Sequence, residues 1–206
     1  MTVFDSVGAA GSKSGRIGPG WLVLVCGPSG AGKDSLLNRV REMNRDRADL
    51  VFPRRVVTRL VSEAEDHDST TQDEFNSALQ RGSFAFWWSA HGLSYGLPSQ
   101  IDDEIEKGRS VVCNVSRAII PELRVRYKHV MAVLVTAPHD ILANRLAARG
   151  RTTDGKLSDR IARSAAFVEF RADVVIDNSG SIEEGARKLQ DALESLSPPH
   201  RLVGEA

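Results

Sequence analysis

GPSGAGKDSLL, residues 27–37, is the stretch on which the fold turns. Gly27, Gly32 and Lys33 stand at the spacing of a phosphate-binding loop, G-x-x-x-x-G-K. The next residue of such a loop is ordinarily a Ser or Thr whose hydroxyl ligates Mg²⁺; here it is Asp34. The loop needs a strand before it and a helix after it, and both are present. WLVLVC (21–26) is a continuous run suited to a strand covered on both faces, and SLLNRVREM (35–43) places Leu36, Leu37, Val40 and Met43 at helical spacing. Glycines let backbone N–H groups turn towards an anion, and the helix N-terminus adds positive potential. Gly27, Pro28, Ser29, Gly30, Ala31, Gly32, Lys33, Asp34 and Ser35 are therefore the expected ATP-binding residues, with Lys33 reaching the terminal phosphates.

Asp34 puts a carboxylate where it would repel a nucleotide unless a cation intervenes. Mg²⁺ prefers oxygen ligands and often takes one or two carboxylates together with phosphate oxygens. Asp34 is thus the candidate metal ligand, in place of the missing hydroxyl. The competing reading is that its charge only favours the first turn of the helix.

Outward from the loop, strand-like and helix-like segments alternate. LVFPRRVVTR (50–59) reads as a second strand ending in basic residues and 60–70 as an acidic loop. TQDEFNSALQRG (71–82) reads as a helix with Thr71 as its N-cap, followed by the aromatic, β-prone FAFWWSAHGLSYG (84–96). PSQIDDEIEKG (98–108) reads as a helix with Pro98 near its start and Gly108 past its end. SVVCNV, HVMAVLVTA and ADVVIDN are further strands. RAIIPELRVRY, PHDILANRLAARG, LSDRIARSAAFVEF and SIEEGARKLQDALESL are further helices. Such alternation predicts an α/β fold with right-handed crossovers, a central parallel sheet and helices on both faces. The expected boundaries are a flexible tail over 1–19, one domain over 20–197 and a C-terminal tail over 198–206.

The 206 residues suffice for one domain with a sizeable core. Lys and Arg number 27, as do Asp and Glu, so the net charge is zero, which argues against a generally basic nucleic-acid binder. Cys26 and Cys113 lie in apolar runs and read as small buried hydrophobes. The sequence offers no membrane-spanning run and no signal-peptide core, so the expected place is the cytoplasm, as a monomer or homodimer acting on a small molecule, with no nucleic-acid or membrane partner.

Several segments together resemble one family. GPSGAGK is similar to the loop of the guanylate-kinase-like group of nucleoside-monophosphate kinases, and the variant GKDS resembles its ribose 1,5-bisphosphate phosphokinase branch. RRVVTR (54–59) resembles the strand end that supplies acceptor-binding arginines, WWSAHGLSYG (87–96) the Trp-containing segment ending in Tyr-Gly, and VVCNVSR (111–117) the Asn-x-Ser-Arg motif. LANRLAARGR resembles the lid entry and VVIDNSG the last strand with its turn. The resemblance runs from about 21 to 196; Ser89, His91 and Ser94 depart from the pattern. It implies an α/β three-layer P-loop kinase fold with a small acceptor-binding region over about 54–97 and a lid over about 145–165, and phosphorylation of ribose 1,5-bisphosphate to 5-phospho-α-D-ribose 1-diphosphate with ATP and Mg²⁺. The rival readings are guanylate kinase or another small-molecule kinase and, from another class, a non-catalytic binding module, which would not need Lys33 or the loop glycines.

Two basic groups fit this expectation. Arg54, Arg55 and Arg59 close a predicted strand, where ligands of open α/β sheets lie, and guanidinium pairs bidentately with phosphate. Arg55, Arg59, Tyr95 and Arg117 are the expected acceptor-binding residues, while His91 reads equally as structural. Trp87 and Trp88 are adjacent in a strand, so one is expected to face the core and the other the cleft. Arg145, Arg149, Arg151, Arg160 and Arg163 flank RTTDGK as lid arginines, and Lys33, Arg149 and Arg160 are the expected catalytic residues. A solvated helix face is the alternative for this cluster.

Overall fold

The computed structural model describes residues 7–9, 15–59, 67–90, 92–148 and 171–196. The elements in chain order are β1 (Val7–Ala9), β2 (Ile17–Cys26), α1 (Lys33–Met43), β3 (Leu50–Val51), β4 (Arg55–Val57), β5 (His67–Ser69), α2 (Gln72–Gln80), β6 (Phe84–Ala90), β7 (Leu93–Pro98), α3 (Gln100–Glu106) and β8 (Ser110–Asn114). A 3₁₀ turn (Arg117–Ile119) then leads into α4 (Ile120–Arg126), β9 (Tyr127–Thr136), α5 (His139–Ala148), β10 (Val174–Asp177) and α6 (Ile182–Glu194).

Among the described residues the strands form two five-stranded sheets. In the first, ordered β10-β9-β2-β8-β3, every pairing is parallel. This is the expected central sheet, and its strands alternate strictly. Leu22, Leu24 and Cys26 of β2 join one core with Ile101, Ile105, Leu123 and Trp88. Val23 and Val25 join the other with Leu36, Val40, Leu142 and Leu189. One face is thus covered by α3, α4 and the second sheet, the other by α1, α5 and α6. Fully burying one Val or Leu side chain contributes about 1.5–3 kcal/mol, which is why a run like residues 22–26, all completely buried, can only sit at the centre.

The second sheet departs from simple alternation. Its order is β1-β6-β7-β4-β5, with β6 and β7 an antiparallel hairpin and β4 and β5 parallel. The stretch 50–59, expected as one strand, is two: Leu50–Val51 pairs with β8 in the first sheet and Arg55–Val57 with β7 in the second. Phe52, Pro53 and Arg54 carry the chain across, and a Pro that cannot donate to a ladder suits such a break. Part of the expected tail is also strand, since Val7–Ala9 pairs with β6 and β2 begins at Ile17. Pro98 ends β7 opposite Phe84 and does not open the helix.

The helix signals are local and chemical. Thr71 and Ser181 each accept from the backbone N–H three residues on, while Glu74 and Glu184 reach back to the cap N–H, so both helices begin in capping boxes. In α1, Leu36, Leu37 and Val40 are buried as their spacing predicts; Met43, expected on the same face, is exposed. Asn44 ends α1, and its side chain donates to Val40 O at 2.8 Å and to Gln190 of α6 at 2.5 Å, fastening the two helices.

Candidate active site

The loop between β2 and α1 lies at the carboxyl end of the parallel sheet, beside the point where successive strands pass to either side of β2. That is where open α/β sheets bind ligands. Gly27 and Gly32 have φ of 144° and 87°, conformations a side chain resists. A Cβ on Gly27 would also run into the carbonyl oxygen of Val135. Gly32 caps α1 with no side-chain cap bond, so the first N–H groups of the helix are left for a ligand. Lys33 folds back over the loop, and its Nζ donates to Gly27 O and Pro28 O, both at 2.9 Å. Ser29 and Ser35 are exposed at the loop surface and Ala31 is fully buried beneath it.

Asp34 begins a chain of polar contacts that leads away from the loop. Asn114 Nδ2 donates to its Oδ1 at 2.7 Å, and Arg55 Nη2 stands 3.8 Å from the same oxygen; the Asp34 and Arg55 side chains are each 15% exposed. Asp34, Arg55 and Asn114 line a small cleft, with Arg41, Phe52 and Cys113 among its other walls. The Arg55 guanidinium carbon lies 5.9 Å from the centre of the Tyr95 ring, which stacks on Trp88 at 5.2 Å and 6°. Arg55 Nε is buried without a hydrogen-bond partner.

The structure thus brings Lys33, Asp34, Arg55 and Tyr95 to one region. Arg117 follows β8 in the 3₁₀ turn, near enough to Cys26 that its charge, with that of Lys33, acts on the thiol. Burial outweighs both charges and pushes Cys26 up to about 11; it pushes Cys113, beside Arg55, to about 12. Both cysteines are fully or almost fully buried. Arg59 follows β4, its N–H bonded to Val57 O. Arg54 stands apart: half exposed, it donates to His67 O and pairs with Asp68, tying β4 to β5. The tryptophans divide otherwise than expected, because core and cleft share one face of the second sheet. Trp88 lies on that face against Tyr95, and Trp87 pairs with Gly8 of β1. Ser94 is buried, donates to Gln72 and, through its N–H, bonds Thr58 Oγ1, so it ties the sheet to α2. Arg149, Arg151, Arg160, Arg163 and His91 lie outside the described residues, as does most of the expected lid.

Three further residues stand at the loop: Asn178 and Asn114, to which sequence reasoning gave no role, and Arg145, which it placed among the lid arginines. Asn178 donates to Ala31 O at 2.8 Å from a position that is 4% exposed. Arg145, on α5, has a buried Nη1 without a hydrogen-bond partner, 4.0 Å from where a Cβ on Gly32 would lie. Asn114 holds Asp34. VVIDNSG and VVCNVSR mark two of these segments, yet a motif does not say which of its residues turns inward.

Among the described residues no cluster of three or more His, Cys, Asp or Glu is arranged to hold a metal. Asp34 is a carboxylate beside the loop, and one carboxylate with phosphate oxygens and water is a donor set that suits Mg²⁺. None of the described helices is long and apolar enough to cross a membrane.

Comparison with known proteins identifies the family. The guanylate kinase family model matches residues 20–196. A ribose 1,5-bisphosphate phosphokinase PhnN of Bradyrhizobium diazoefficiens is 51% identical over 188 residues, covering 91% of this chain and 95% of the relative. Another, from Rhodopseudomonas palustris, is 49% identical over 88% of this chain and 92% of the relative. Among solved structures, guanylate kinase from Anaplasma phagocytophilum superposes with a TM-score of 0.64 at 21% identity, covering 87% of each chain, a likeness of fold. By sequence match and fold alike, this chain belongs to the guanylate kinase family and, within it, to the ribose 1,5-bisphosphate phosphokinases.

Proposed function

We propose that this protein is an ATP-dependent kinase that converts ribose 1,5-bisphosphate to 5-phospho-α-D-ribose 1-diphosphate. The observation that carries the acceptor side is Arg55, a largely buried guanidinium with an unpartnered Nε at a cleft beside the phosphate loop. A doubly phosphorylated sugar needs cationic groups more than a shaped base pocket, and Arg55, Arg59, Tyr95 and Arg117 are its proposed contacts. The extent of identity to relatives bearing this activity in their names supports the same reading.

An oxygen of the 1-phosphate attacks the γ-phosphorus of ATP. A new P–O bond forms, the bond from the γ-phosphorus to the β–γ bridging oxygen breaks, and ADP leaves with that electron pair. The attacking oxygen is already anionic at neutral pH, so no general base is required, and catalysis reduces to positioning and charge neutralisation. Residues 27–35 hold the nucleotide phosphates through backbone N–H groups and Lys33. Arg149 and Arg160 bring lid charge to the transferring group. Mg²⁺, held by Asp34 and phosphate oxygens, supplies further neutralisation when bound. The protein acts in the cytoplasm on a small molecule, as monomer or homodimer, without nucleic acid or membrane.

The experiment is an acceptor panel. The pure protein is incubated with Mg·ATP and either ribose 1,5-bisphosphate or GMP, and products are identified by mass spectrometry. The expected product is phosphoribosyl diphosphate from the first and little or no GDP from the second. Efficient GDP formation without phosphoribosyl diphosphate would replace this reading by guanylate kinase, and no turnover of any acceptor by a non-catalytic module.

A further inference from the structure

The aspartate that takes the place of the usual hydroxyl is bonded towards the acceptor side. Asp34 is the second residue of α1, Asn114 closes β8 in the first sheet and Arg55 opens β4 in the second. One carboxylate oxygen therefore joins the phosphate loop to both sheets across the cleft, accepting from Asn114 at 2.7 Å and facing Arg55 at 3.8 Å. A serine hydroxyl is uncharged and one atom shorter, and would reach neither partner from the same backbone position. On its other side Arg55 faces the Tyr95 ring, itself fixed against Trp88. Its guanidinium is thus set by one edge and one face, while the Nε–H remains unpartnered. A planar fork held this way is ready to take a phosphate oxygen with little further ordering.

We infer that Asp34 is a positioning residue for the acceptor: its carboxylate holds the Arg55 guanidinium and the Asn114 amide at the cleft, in addition to any contact with a cation. This rests on the proposed acceptor role of Arg55. It makes a prediction opposite in sign to bare electrostatics. Deleting a carboxylate 3.8 Å from an anion-binding arginine should tighten binding of a bisphosphate if only charge counts. It should weaken binding if the carboxylate is what aims the arginine.

The test is calorimetric titration of ribose 1,5-bisphosphate into the full chain in EDTA, with neither nucleotide nor divalent cation, so that a role confined to metal ligation moves nothing. Wild type, Asp34→Ala, Asp34→Ser, Asp34→Asn, Arg55→Ala and the Asp34→Ala/Arg55→Ala double variant are compared after thermal melts confirm folding; Asp34→Ser reads the same outcome should Asp34→Ala not fold. Loss of a charge-assisted contact that orders Arg55 is expected to weaken binding about tenfold in Asp34→Ala and Asp34→Ser. Asp34→Asn, which keeps an oxygen in place, should lose much less, and the double variant should be no weaker than Arg55→Ala alone. Unchanged or tighter binding in a folded Asp34→Ala or Asp34→Ser, with weakened binding in Arg55→Ala, overturns the positioning role and leaves the acceptor site standing. No effect of Arg55→Ala, or no binding to the wild type, overturns the acceptor role of Arg55 and this inference with it.

Discussion

Asn178 Nδ2 lies 2.5 Å from the point where a Cβ on Gly32 would be, while the same nitrogen donates to Ala31 O at 2.8 Å. The turn after β10 is thus fastened to the phosphate loop with no room for one more carbon. Gly32→Ala meets two obstacles, a left-handed φ of 87° and this contact. Backbone strain of this kind costs about 1–3 kcal/mol, and relief requires either Asn178 to give up its bond to Ala31 O or the loop to move. Turnover should fall at least 100-fold in a protein whose melting temperature drops by only a few degrees. Steady-state kinetics with calorimetry checks this, and near-normal turnover would show that the loop tolerates displacement.

Lys33→Ala removes the one loop side chain able to follow a terminal phosphate. In the free protein its Nζ is held by Gly27 O and Pro28 O in part-buried bonds, and losing bonds of the lysine to its own loop should cost little stability. Removing one preorganised electrostatic donor lowers turnover by about 10²–10³. Single-turnover rates with Mg·ATP should show that loss while the melting temperature stays close to wild type.

Much of this architecture is legible in the sequence because it rests on local rules. WLVLVC, apolar throughout and sealed on both sides from Leu22 to Cys26, is central, and Thr71, read as an N-cap, opens its helix in a capping box. What was not legible depends on contacts distant in sequence. Pro53 is a local sign of a break in the stretch 50–59, but nothing local says that the two halves join different sheets, because that is decided by separate partners, β8 and β7. Likewise, Asp34 read alone is a metal ligand or a dipole residue; its bond to Asn114, 80 positions away, appears only when β8 is laid beside β2.

The two thiols should be inert in the folded protein. Burial raises Cys26 to about 11 and Cys113 to about 12, and the thiolate is the reactive form. At pH 8 a disulfide reagent should label neither until denaturant is added, and then both within the same transition. The sign for stability follows. An unfolded thiol ionises near pH 8.5, so between there and the raised folded values the native state keeps protons the unfolded chain releases, and stability falls as pH rises through that window. Rapid labelling of either cysteine under native conditions would contradict the buried placement.

Lid arginines and loop residues should separate kinetically. Arg149→Ala and Arg160→Ala are expected to lower turnover more than they raise the Michaelis constant for the acceptor, because charge brought to the transferring group matters most in the transition state. A change confined to the acceptor Michaelis constant would move that arginine to the acceptor site, and no change at all would make the cluster a solvated face.

At the far end of the sheet, Asp102 of α3 accepts from the Tyr127 hydroxyl at 2.6 Å and from Arg126 Nη2 at 2.5 Å. Tyr127 is fully buried and Asp102 is 7% exposed. Burial is the main cause that drives the Tyr127 phenol upward, followed by the Asp102 charge, so it remains a donor throughout the working range. Tyr127 pairs with Ile17 at the start of β2, and the phosphate loop follows its end, about 30 Å away at the rise of an extended strand. Asp102→Ala leaves a buried hydroxyl and a partly buried guanidinium without their shared acceptor. Breaking a fully buried pair on one side costs about 3–5 kcal/mol, so with Arg126 partly reached by solvent the loss should lie at or below the low end of that range, whereas replacing all three residues by apolar ones of similar size should cost much less. Urea denaturation should show the first loss and its partial recovery in the triple variant. The Michaelis constants for ATP and acceptor should stay within about twofold of wild type below the melting point, since sites this far apart with no shared partner usually behave independently. A large change in either constant in the folded single variant would mean that this end of the sheet is coupled to the loop.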